Sequence, residues 1–171
     1  MSIYKKGGIK LIEVKKVTKK YGNFTAVDNI TFNVKDGEVV GLLGQNGAGK
    51  STTMNMITGF IEPTEGTIII NGYDIMKKSL KAKKQIGYMP ENVPLYPELT
   101  VKEFVSYMAE LKLVGRKERK QEVENVIKET GLEEVKNKLI RNLSRGYKQR
   151  VSMAGALVGN PEVLILDEPT V

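Results

Sequence analysis

The sequence of 171 residues contains no cysteine and no histidine. The absence of cysteine excludes disulfide frameworks, thiolate zinc sites, iron–sulfur clusters and cysteine nucleophiles. The absence of histidine excludes Ser-His-Asp triads, imidazole metal ligands and acid–base catalysis by an imidazole. Chemistry performed without a cofactor would therefore have to use carboxylates, lysine, hydroxyls and backbone amides.

Long apolar runs are also absent. The longest nearly apolar stretches, such as residues 153–159, are far shorter than the roughly 20 residues that a membrane-spanning helix needs. The first ten residues contain lysines but no apolar segment of the kind found in signal peptides, so we predict no cleaved secretory signal. With 40% hydrophobic and 27% charged residues, the composition is typical of a folded globular domain. We therefore expect a single domain in the cytoplasm.

The net charge of +7 is concentrated in lysine clusters. Seven lysines and a single glutamate lie among residues 1–20, and five more lysines lie between residues 77 and 84. Such clusters indicate either attraction to phosphate or an anionic membrane surface, or simply a solvated lysine-rich face. Stacking aromatics are not interleaved with the lysines, which favours the solvated face over nucleic-acid binding.

The apolar pattern predicts an α/β fold with two kinds of strand. Loose alternation in residues 11–17 and 26–34 is typical of exposed antiparallel strands, whereas continuous apolar runs at 39–43 and 163–166 favour buried parallel strands. Two further strands are predicted at residues 67–70, which the Asn71-Gly72 pair would turn back, and at 86–89, before Pro90.

Between residues 90 and 142 the pattern becomes helical. Thr100 and Glu103 form a capping-box pattern, followed by an apolar stripe of Val101, Phe104, Met108 and Leu111 with Gly115 past the helix end. A second helix is predicted over residues 117–130, with an inward face of Val123, Val126 and Ile127 and with Gly131 closing it. About fifty residues of helix between strands indicate an inserted subdomain.

A phosphate-binding loop is predicted directly after the run at 39–43. Residues 44–51, GQNGAGKS, match the pattern GxxxxGK[ST], in which glycines let consecutive N–H groups surround a polyphosphate at a helix N-terminus. Lys50 would reach the β and γ phosphates, and the Ser51 hydroxyl would ligate Mg²⁺. The predicted nucleotide-binding residues of this loop are Gly44, Gln45, Asn46, Gly47, Ala48, Gly49, Lys50, Ser51 and Thr52.

A second half of the site is predicted at the carboxyl end of the strand at 163–166. Asp167 and Glu168 follow it directly, where parallel sheets bind ligands. Asp167 would hold the magnesium ion, and Glu168 would polarise the attacking water. An alternative for Glu168 alone is a solvated helix-cap glutamate.

Residues 143–150, LSRGYKQR, resemble the LSxGxxQR signature of ATP-binding cassette (ABC) ATPases, and they precede LDEPT at 166–170. This resemblance covers the chain from about residue 12 onward. It implies a P-loop core with a mainly parallel sheet (37–65, 76–90, 143–171), an antiparallel β part (9–36, 66–75) and a helical subdomain (91–142), with ATP and Mg²⁺ as cofactors.

The resemblance also implies roles for other residues. Tyr21 lies where the family has an aromatic that stacks on adenine, although packing is the alternative for a lone tyrosine. Glu91 stands where the family usually has a glutamine that contacts magnesium, and a carboxylate there resembles the exporter-associated subgroup. The signature residues would contact the ATP held by a partner cassette, in a head-to-tail homodimer or heterodimer: Ser144, Arg145, Gly146 and Gln149.

The function implied is a motor subunit that drives a separate integral membrane transporter subunit from the cytoplasmic face of the membrane. An alternative is a soluble ABC ATPase acting on nucleic acid or ribosomes. Against it, no heptads run between Ser51 and Ser144, and a single cassette is present. A module that binds ATP without useful turnover is a third possibility.

The resemblance suggests a reason for the absence of histidine from this sequence. Family members continue past the acidic strand into an aspartate loop and a core strand ending in a histidine that senses the γ-phosphate. The sequence ends at Thr170-Val171. We therefore expect these residues to be an incomplete domain that binds Mg-ATP, hydrolyses it poorly and has an exposed sheet edge.

Overall fold

The computed structural model describes residues 10–91 and 94–167, and its chain divides into two units, Met1–Gln85 and Ile86–Val171. Each unit has its own sheet and its own buried apolar residues. The predicted subdomain boundaries divide the chain differently and remain predictions.

The first unit is built on a four-stranded antiparallel sheet. Its strands are β1 (Lys10–Tyr21), β2 (Phe24–Lys35), β3 (Glu65–Ile70) and β4 (Tyr73–Asp74), in the order β2-β1-β3-β4. The predicted turn at Asn71-Gly72 connects β3 to β4, with positive φ angles of 45° and 78°. Two helices complete the unit, α1 (Lys50–Ile57) and α2 (Ser79–Lys84).

The pairing register of the long hairpin of β1 and β2 shifts at several places. Lys16 and Asn29 adopt positive φ, and their amides donate to the hydroxyls of Thr31 and Thr18, at 2.9 Å each. These side-chain oxygens replace the backbone acceptors lost at a bulge. Gly66 of β3 packs against this place so closely that a Cβ there would lie 2.3 Å from the Lys16 carbonyl oxygen. Glycine is therefore required at position 66.

The predicted buried strand at 39–43 is wrong for this structure. Residues 38–45 are neither helix nor strand, and the side chains of Val39 and Leu43 are 98% and 94% exposed. The residues are strand formers, but a parallel strand is stabilised by pairing on both edges and by burial on both faces. No strand of residues 10–91 or 94–167 pairs with this run.

The second unit contains two parallel strands and a helical part. Strands β5 (Ile86–Met89) and β6 (Val163–Leu166) lie where strands were predicted, and they pair in parallel. The helices are α3 (Val101–Leu111), α4 (Arg119–Glu129) and α5 (Arg145–Leu157), with 3-10 turns at Glu133–Val135 and Ile140–Asn142.

The helical part has a continuous apolar core. The predicted inward face of α4 is buried, and the reciprocal capping box of Thr100 and Glu103 is present at the start of α3. One detail of the predicted α3 was wrong, since Leu111 is 56% exposed and does not belong to the buried stripe. Gly115 lies past the helix end as predicted, and the left-handed residue in this stretch is Leu113, with φ 59°. Val105 and Ala109 occupy the buried face instead.

One carboxylate links three elements of this part. Glu124 of α4 accepts from Lys102 of α3 at 2.6 Å and from Lys136 at 2.9 Å. These two ammonium groups lower the pKa of Glu124 to about 2, so it stays ionised in any mild buffer. Within the described residues, no helix is long and apolar enough to cross a bilayer.

Candidate nucleotide-binding site

The loop at residues 44–49 leads directly into α1. Gly47 and Gly49 both have left-handed backbones, with φ of 83° and 84°. Glycine reaches this region without the steric penalty that a Cβ brings. A hydrogen bond from the Ala48 amide to the Gln45 carbonyl, at 3.1 Å, closes the turn between them. The structure confirms the predicted backbone, in which a glycine loop leads into a helix that begins near Gly49.

The helix start is held close to the antiparallel sheet. A Cβ at Gly49 would lie 2.5 Å from the Ala26 carbonyl oxygen and 3.0 Å from the side chain of Val27, both in β2. Inside the first turn, the Thr53 amide and hydroxyl both bond to the Gly49 carbonyl, at 2.8 and 2.9 Å. The first turn of α1 is therefore fixed by its close packing against β2 and by its own hydrogen bonds.

Among the residues that the structure describes, no side chain caps α1, and the first turn of this helix has no acidic residue. The first N–H groups of a helix have no partner within the helix, and they carry the positive end of its dipole. This arrangement suits an anionic ligand, because neither a side-chain oxygen nor a carboxylate competes for these donors.

Lys50 folds back over the loop. Its Nζ donates to the carbonyl oxygens of Gly44 and Gln45, at 2.7 and 2.9 Å. The ammonium group is thus beside the loop whose amides would surround a phosphate. Ser51 is exposed and Thr52 is half-buried at the start of the same helix.

Tyr21 lies at the tip of the β1–β2 hairpin and is 50% exposed. Phe24 pairs with it across the turn and is 64% exposed, a second aromatic that the sequence reasoning did not single out. Lys19 Nζ lies 5.0 Å from the centre of the Tyr21 ring, a cation–π contact. The exposed ring is consistent with a stacking role but also makes this local contact.

Asp167 and Glu91 belong to the carboxyl edge of the parallel pair. Met89 of β5 is paired with Leu166 of β6, so each acidic residue follows within two positions of that pair. The Asp167 amide donates to the Met89 carbonyl at 2.9 Å. Burial, and then the Asp167 charge, raise the pKa of Tyr88. Glu168 lies outside the described residues.

Metal binding is limited by the donors available. Among the described residues, no group of three or more acidic side chains gathers at one place. The hydroxyl of Ser51 and the carboxylate of Asp167 are oxygen donors of the kind that Mg²⁺ prefers, and Mg²⁺ commonly keeps several waters beside one or two protein ligands. Each of these two oxygens, taken by itself, is thus of the kind that a nucleotide-bound magnesium ion accepts as a ligand.

The signature segment begins helix α5. Ser144 is its N-cap, with its Oγ 3.5 Å from the Tyr147 amide. Arg145 and Gly146 are exposed, and Gln149 is half-buried. Ser144, Arg145 and Gly146 therefore form an accessible surface at a helix N-terminus, as predicted from the motif.

The sequence reasoning missed how this segment is held. The Tyr147 hydroxyl donates to the carboxylate of Glu134, and this hydrogen bond raises the pKa of the tyrosine. The Arg150 guanidinium lies 5.5 Å from the Tyr147 ring centre. Leu143 is buried in the helical core. No motif contains Glu134, so sequence reasoning alone had no signal for it.

These features define the class of P-loop nucleotide-binding proteins. They are the glycine loop that leads into an uncapped helix and the pair of parallel strands that is followed by acidic residues. Comparison with known proteins makes this specific, since the profile of the family described as "ABC transporter" matches residues 27–171. The chain belongs to the ABC transporter family. The predictions of family and fold class are confirmed.

Two curated relatives are both described as ATP-binding proteins. The chain is 40% identical over 94% of its length to the linearmycin resistance ATP-binding protein of Bacillus subtilis, of which it covers 52%. It is 38% identical over 95% of its length to a probable multidrug ABC transporter ATP-binding protein of Escherichia coli, of which it covers 28%. The chain therefore spans about half or less of these two relatives.

Solved structures agree on the fold. An ATP-binding subunit of an ABC transporter matches with a TM-score of 0.84 at 35% identity, covering 94% of this chain and 67% of that one. A dimeric, post-hydrolysis ATP-binding cassette bound to ADP and Pi matches with a TM-score of 0.80 at 32% identity, covering 93% of this chain and 74% of that one.

Proposed function

We propose that this chain is the ATP-binding and ATP-hydrolysing part of an ABC transporter. The observation that carries the proposal is the uncapped start of α1, where the loop glycines, the free amides and Lys50 come together. The relatives named above support it, since one is described as an ATP-binding protein of a probable multidrug ABC transporter and the other as a linearmycin resistance ATP-binding protein.

In this proposal the loop residues bind the phosphates of ATP. Lys50 exchanges its two carbonyl bonds for the β and γ phosphates, a change that costs little because the carbonyl acceptors are solvent-accessible. The hydroxyl of Ser51 and the carboxylate of Asp167 would hold Mg²⁺, and the ring of Tyr21 would stack on the adenine. Magnesium, when bound, neutralises charge on the phosphates.

Hydrolysis is assigned to an in-line attack by water on the γ-phosphate. Glu168 orients and polarises the water, and Glu91 assists it from the end of β5. The chain contains no histidine, and the family resemblance gives a histidine the task of sensing the γ-phosphate. We therefore expect these 171 residues alone to bind Mg-ATP but turn it over slowly.

The signature surface is assigned to a second cassette. Ser144, Arg145, Gly146 and Gln149 would close over the ATP of a partner in a head-to-tail homodimer or heterodimer, since a helix N-terminus attracts the γ-phosphate. A dimeric cassette among the similar structures supports this arrangement.

The transport partner is proposed to be a separate integral membrane subunit, with this chain at the cytoplasmic face. Glu91 in place of the usual glutamine favours an exporter, and a relative from Bacillus subtilis described as a SkfA peptide export ATP-binding protein, 40% identical over 95% of this chain, supports that direction. The loop from Glu91 to Tyr96 is the proposed docking place of the partner.

The alternative function, action on nucleic acid, would instead appear as steeply salt-dependent DNA or RNA binding.

The test is nucleotide binding by Lys50→Ala, measured with a fluorescent ATP analogue. Loss of the charged contacts should weaken binding at least about tenfold, because hydrogen bonds to charged groups contribute about 1.5–3 kcal/mol. Lys117→Ala, an exposed lysine of the second unit, is the control and should bind normally. Equal affinity in both variants would remove Lys50 from the site.

A second variant separates binding from chemistry. Glu168→Gln should bind the analogue as tightly as the unchanged chain but lose turnover in the complete transporter, where it should also prolong the ATP-bound dimer. Undiminished phosphate release by this variant would exclude Glu168 as the residue that activates water.

A further inference from the structure

Helix α2 and the three residues before it, 76–78, carry an exposed basic and apolar face. Five lysines in this stretch are exposed, and so are two apolar side chains, Met76 at 43% and Leu80 at 77%. We call this face, together with Phe60, the α2 surface. Its lysines are Lys77, Lys78, Lys81, Lys83 and Lys84.

The α2 surface is anchored from below. Ile75 and Ala82 are 1% and 0% exposed, so they hold the segment on the first unit. The carboxylate of Asp74 accepts from the amides of Met76 and Lys77, at 2.9 and 3.0 Å, and this fixes the turn before the helix. The exposed side chains are therefore presented on a fixed backbone.

Helix geometry places an apolar residue at the centre of the charged face. Residues three and four apart are neighbours on a helix surface, so Leu80 lies beside Lys83 and Lys84. Phe60, which is 80% exposed, is assigned to the face because it directly follows Gly59 in the chain. Its neighbour Gly59 approaches Lys83 so closely that a Cβ there would lie 2.8 Å from Lys83 Cε.

The charges of this face are uncompensated. Within the described part of the chain, none of its five lysines forms an ion pair, and the nearby Asp74 uses its oxygen on backbone amides. Lys81 Nζ lies 6.0 Å from the Tyr73 ring centre and remains exposed. Leu80 and Phe60 are among the most exposed apolar side chains of the unit. Exposed apolar side chains beside clustered charges indicate a binding surface rather than a face that only contacts water.

We propose that the α2 surface binds directly to the headgroup region of an anionic lipid bilayer. Clustered lysines are attracted to anionic headgroups, and the interleaved apolar side chains enter the boundary between headgroups and acyl chains. A nucleic acid would satisfy the lysines but would leave Leu80 and Met76 in water. This binding does not depend on nucleotide chemistry and adds to any contact with a membrane subunit.

The experiment is vesicle flotation of the full chain with phosphatidylcholine vesicles that contain either 30% phosphatidylglycerol or none. We expect binding to the anionic vesicles only. Because each lysine near an anionic surface contributes about fivefold in binding, the triple variant K78Q/K81Q/K84Q should bind about a hundredfold more weakly. Leu80→Gln should lower binding about tenfold and make the remainder more sensitive to salt.

The matched control is K117Q/K120Q/K128Q, which removes three exposed lysines from the second unit and should bind the anionic vesicles like the unchanged chain. Should the triple variant of the α2 surface misfold, salt screening of the unchanged chain gives the same test of charge. Equal binding to neutral vesicles, or full binding by K78Q/K81Q/K84Q, would overturn the proposal. So would an unaffected Leu80→Gln together with displacement of the vesicles by a single-stranded DNA oligonucleotide.

Discussion

Helices α1 and α3 begin in opposite ways. The N-cap of α3 is Thr100, whose hydroxyl accepts from the Glu103 amide at 3.2 Å while the Glu103 carboxylate accepts from the Thr100 amide at 2.7 Å. The N-cap of α1 is Gly49, which has no side chain and leaves the first amides to the surroundings. Helix α5 is intermediate, with one long contact from Ser144.

The two helix starts therefore have different roles, one in stability and the other in ligand binding. A capped helix satisfies its own first amides and gains stability, whereas an uncapped one keeps them available to an anion. The sequence places the uncapped start in the phosphate loop and the reciprocal cap in the helical part, whose core α3 helps to form. The start of α1 therefore gives up local stabilisation, and its backbone position depends on contact with β2.

The largest effect is expected from Gly49→Ala. Its Cβ would lie 2.5 Å from the Ala26 carbonyl oxygen, so the helix start must move away from β2 and nucleotide binding should be lost. The free energy of unfolding should fall by at least about 3 kcal/mol. Thermal and denaturant melts, with fluorescent-nucleotide titration, measure both.

Gly47→Ala is the matched control for this change. Gly47 has almost the same φ, 83° against 84°, but no described atom lies within 4 Å of a Cβ built there. It should lose only about 1 kcal/mol, the cost of a left-handed alanine. Equal losses in the two variants would mean that the contact with β2 does not hold the phosphate loop in place.

A smaller effect is expected from removing the cap of α3. Thr100→Ala should lower the free energy of unfolding by about 1 kcal/mol, with no change in nucleotide affinity, because the amides exposed are far from the phosphate loop in sequence and serve only the helical part. Ser144→Ala should cost less, since its contact with the Tyr147 amide is 3.5 Å long. Denaturant melts that give the reverse order would contradict this ranking of the two caps.

The smallest effect concerns pH. The Thr100 amide, and then its hydroxyl, lower the pKa of Glu103 below its ordinary value of 4.5. Because the folded pKa is the lower one, the stabilisation is fully present above pH 4.5 and is lost as the pH falls through the folded pKa. Glu103→Gln keeps the cap's shape but not its charge, so its melting curves should differ from those of the unchanged chain at neutral pH and converge in acid. A constant difference at all pH values would exclude the charge as the cause.

Much of this architecture could be predicted from the sequence, since its signals are local. Local patterns located the loop at 44–51, the cap at Thr100, the turn at Asn71-Gly72 and the strands at 86–89 and 163–166. Each depends on residues that are close together along the chain, so that a propensity or a side-chain bond specifies the geometry. The role of Glu168, inferred from its place directly after a strand, stays a prediction. So does the role of Glu91, which the family resemblance implies.

Other features depended on residues distant in sequence. The run at 39–43 has the composition of a buried strand, yet it is exposed because a strand also needs a paired neighbour. The hydrogen bond between Tyr147 and Glu134, and the left-handed Lys16 against Gly66, join residues that no pattern connects. The sequence by itself located the glycine loop, its lysine and the acidic residues after the last strand, because their spacing is local. Only the tertiary structure decided which amides stay free and which lysines face outward, because burial and pairing are set by parts of the chain brought together on folding.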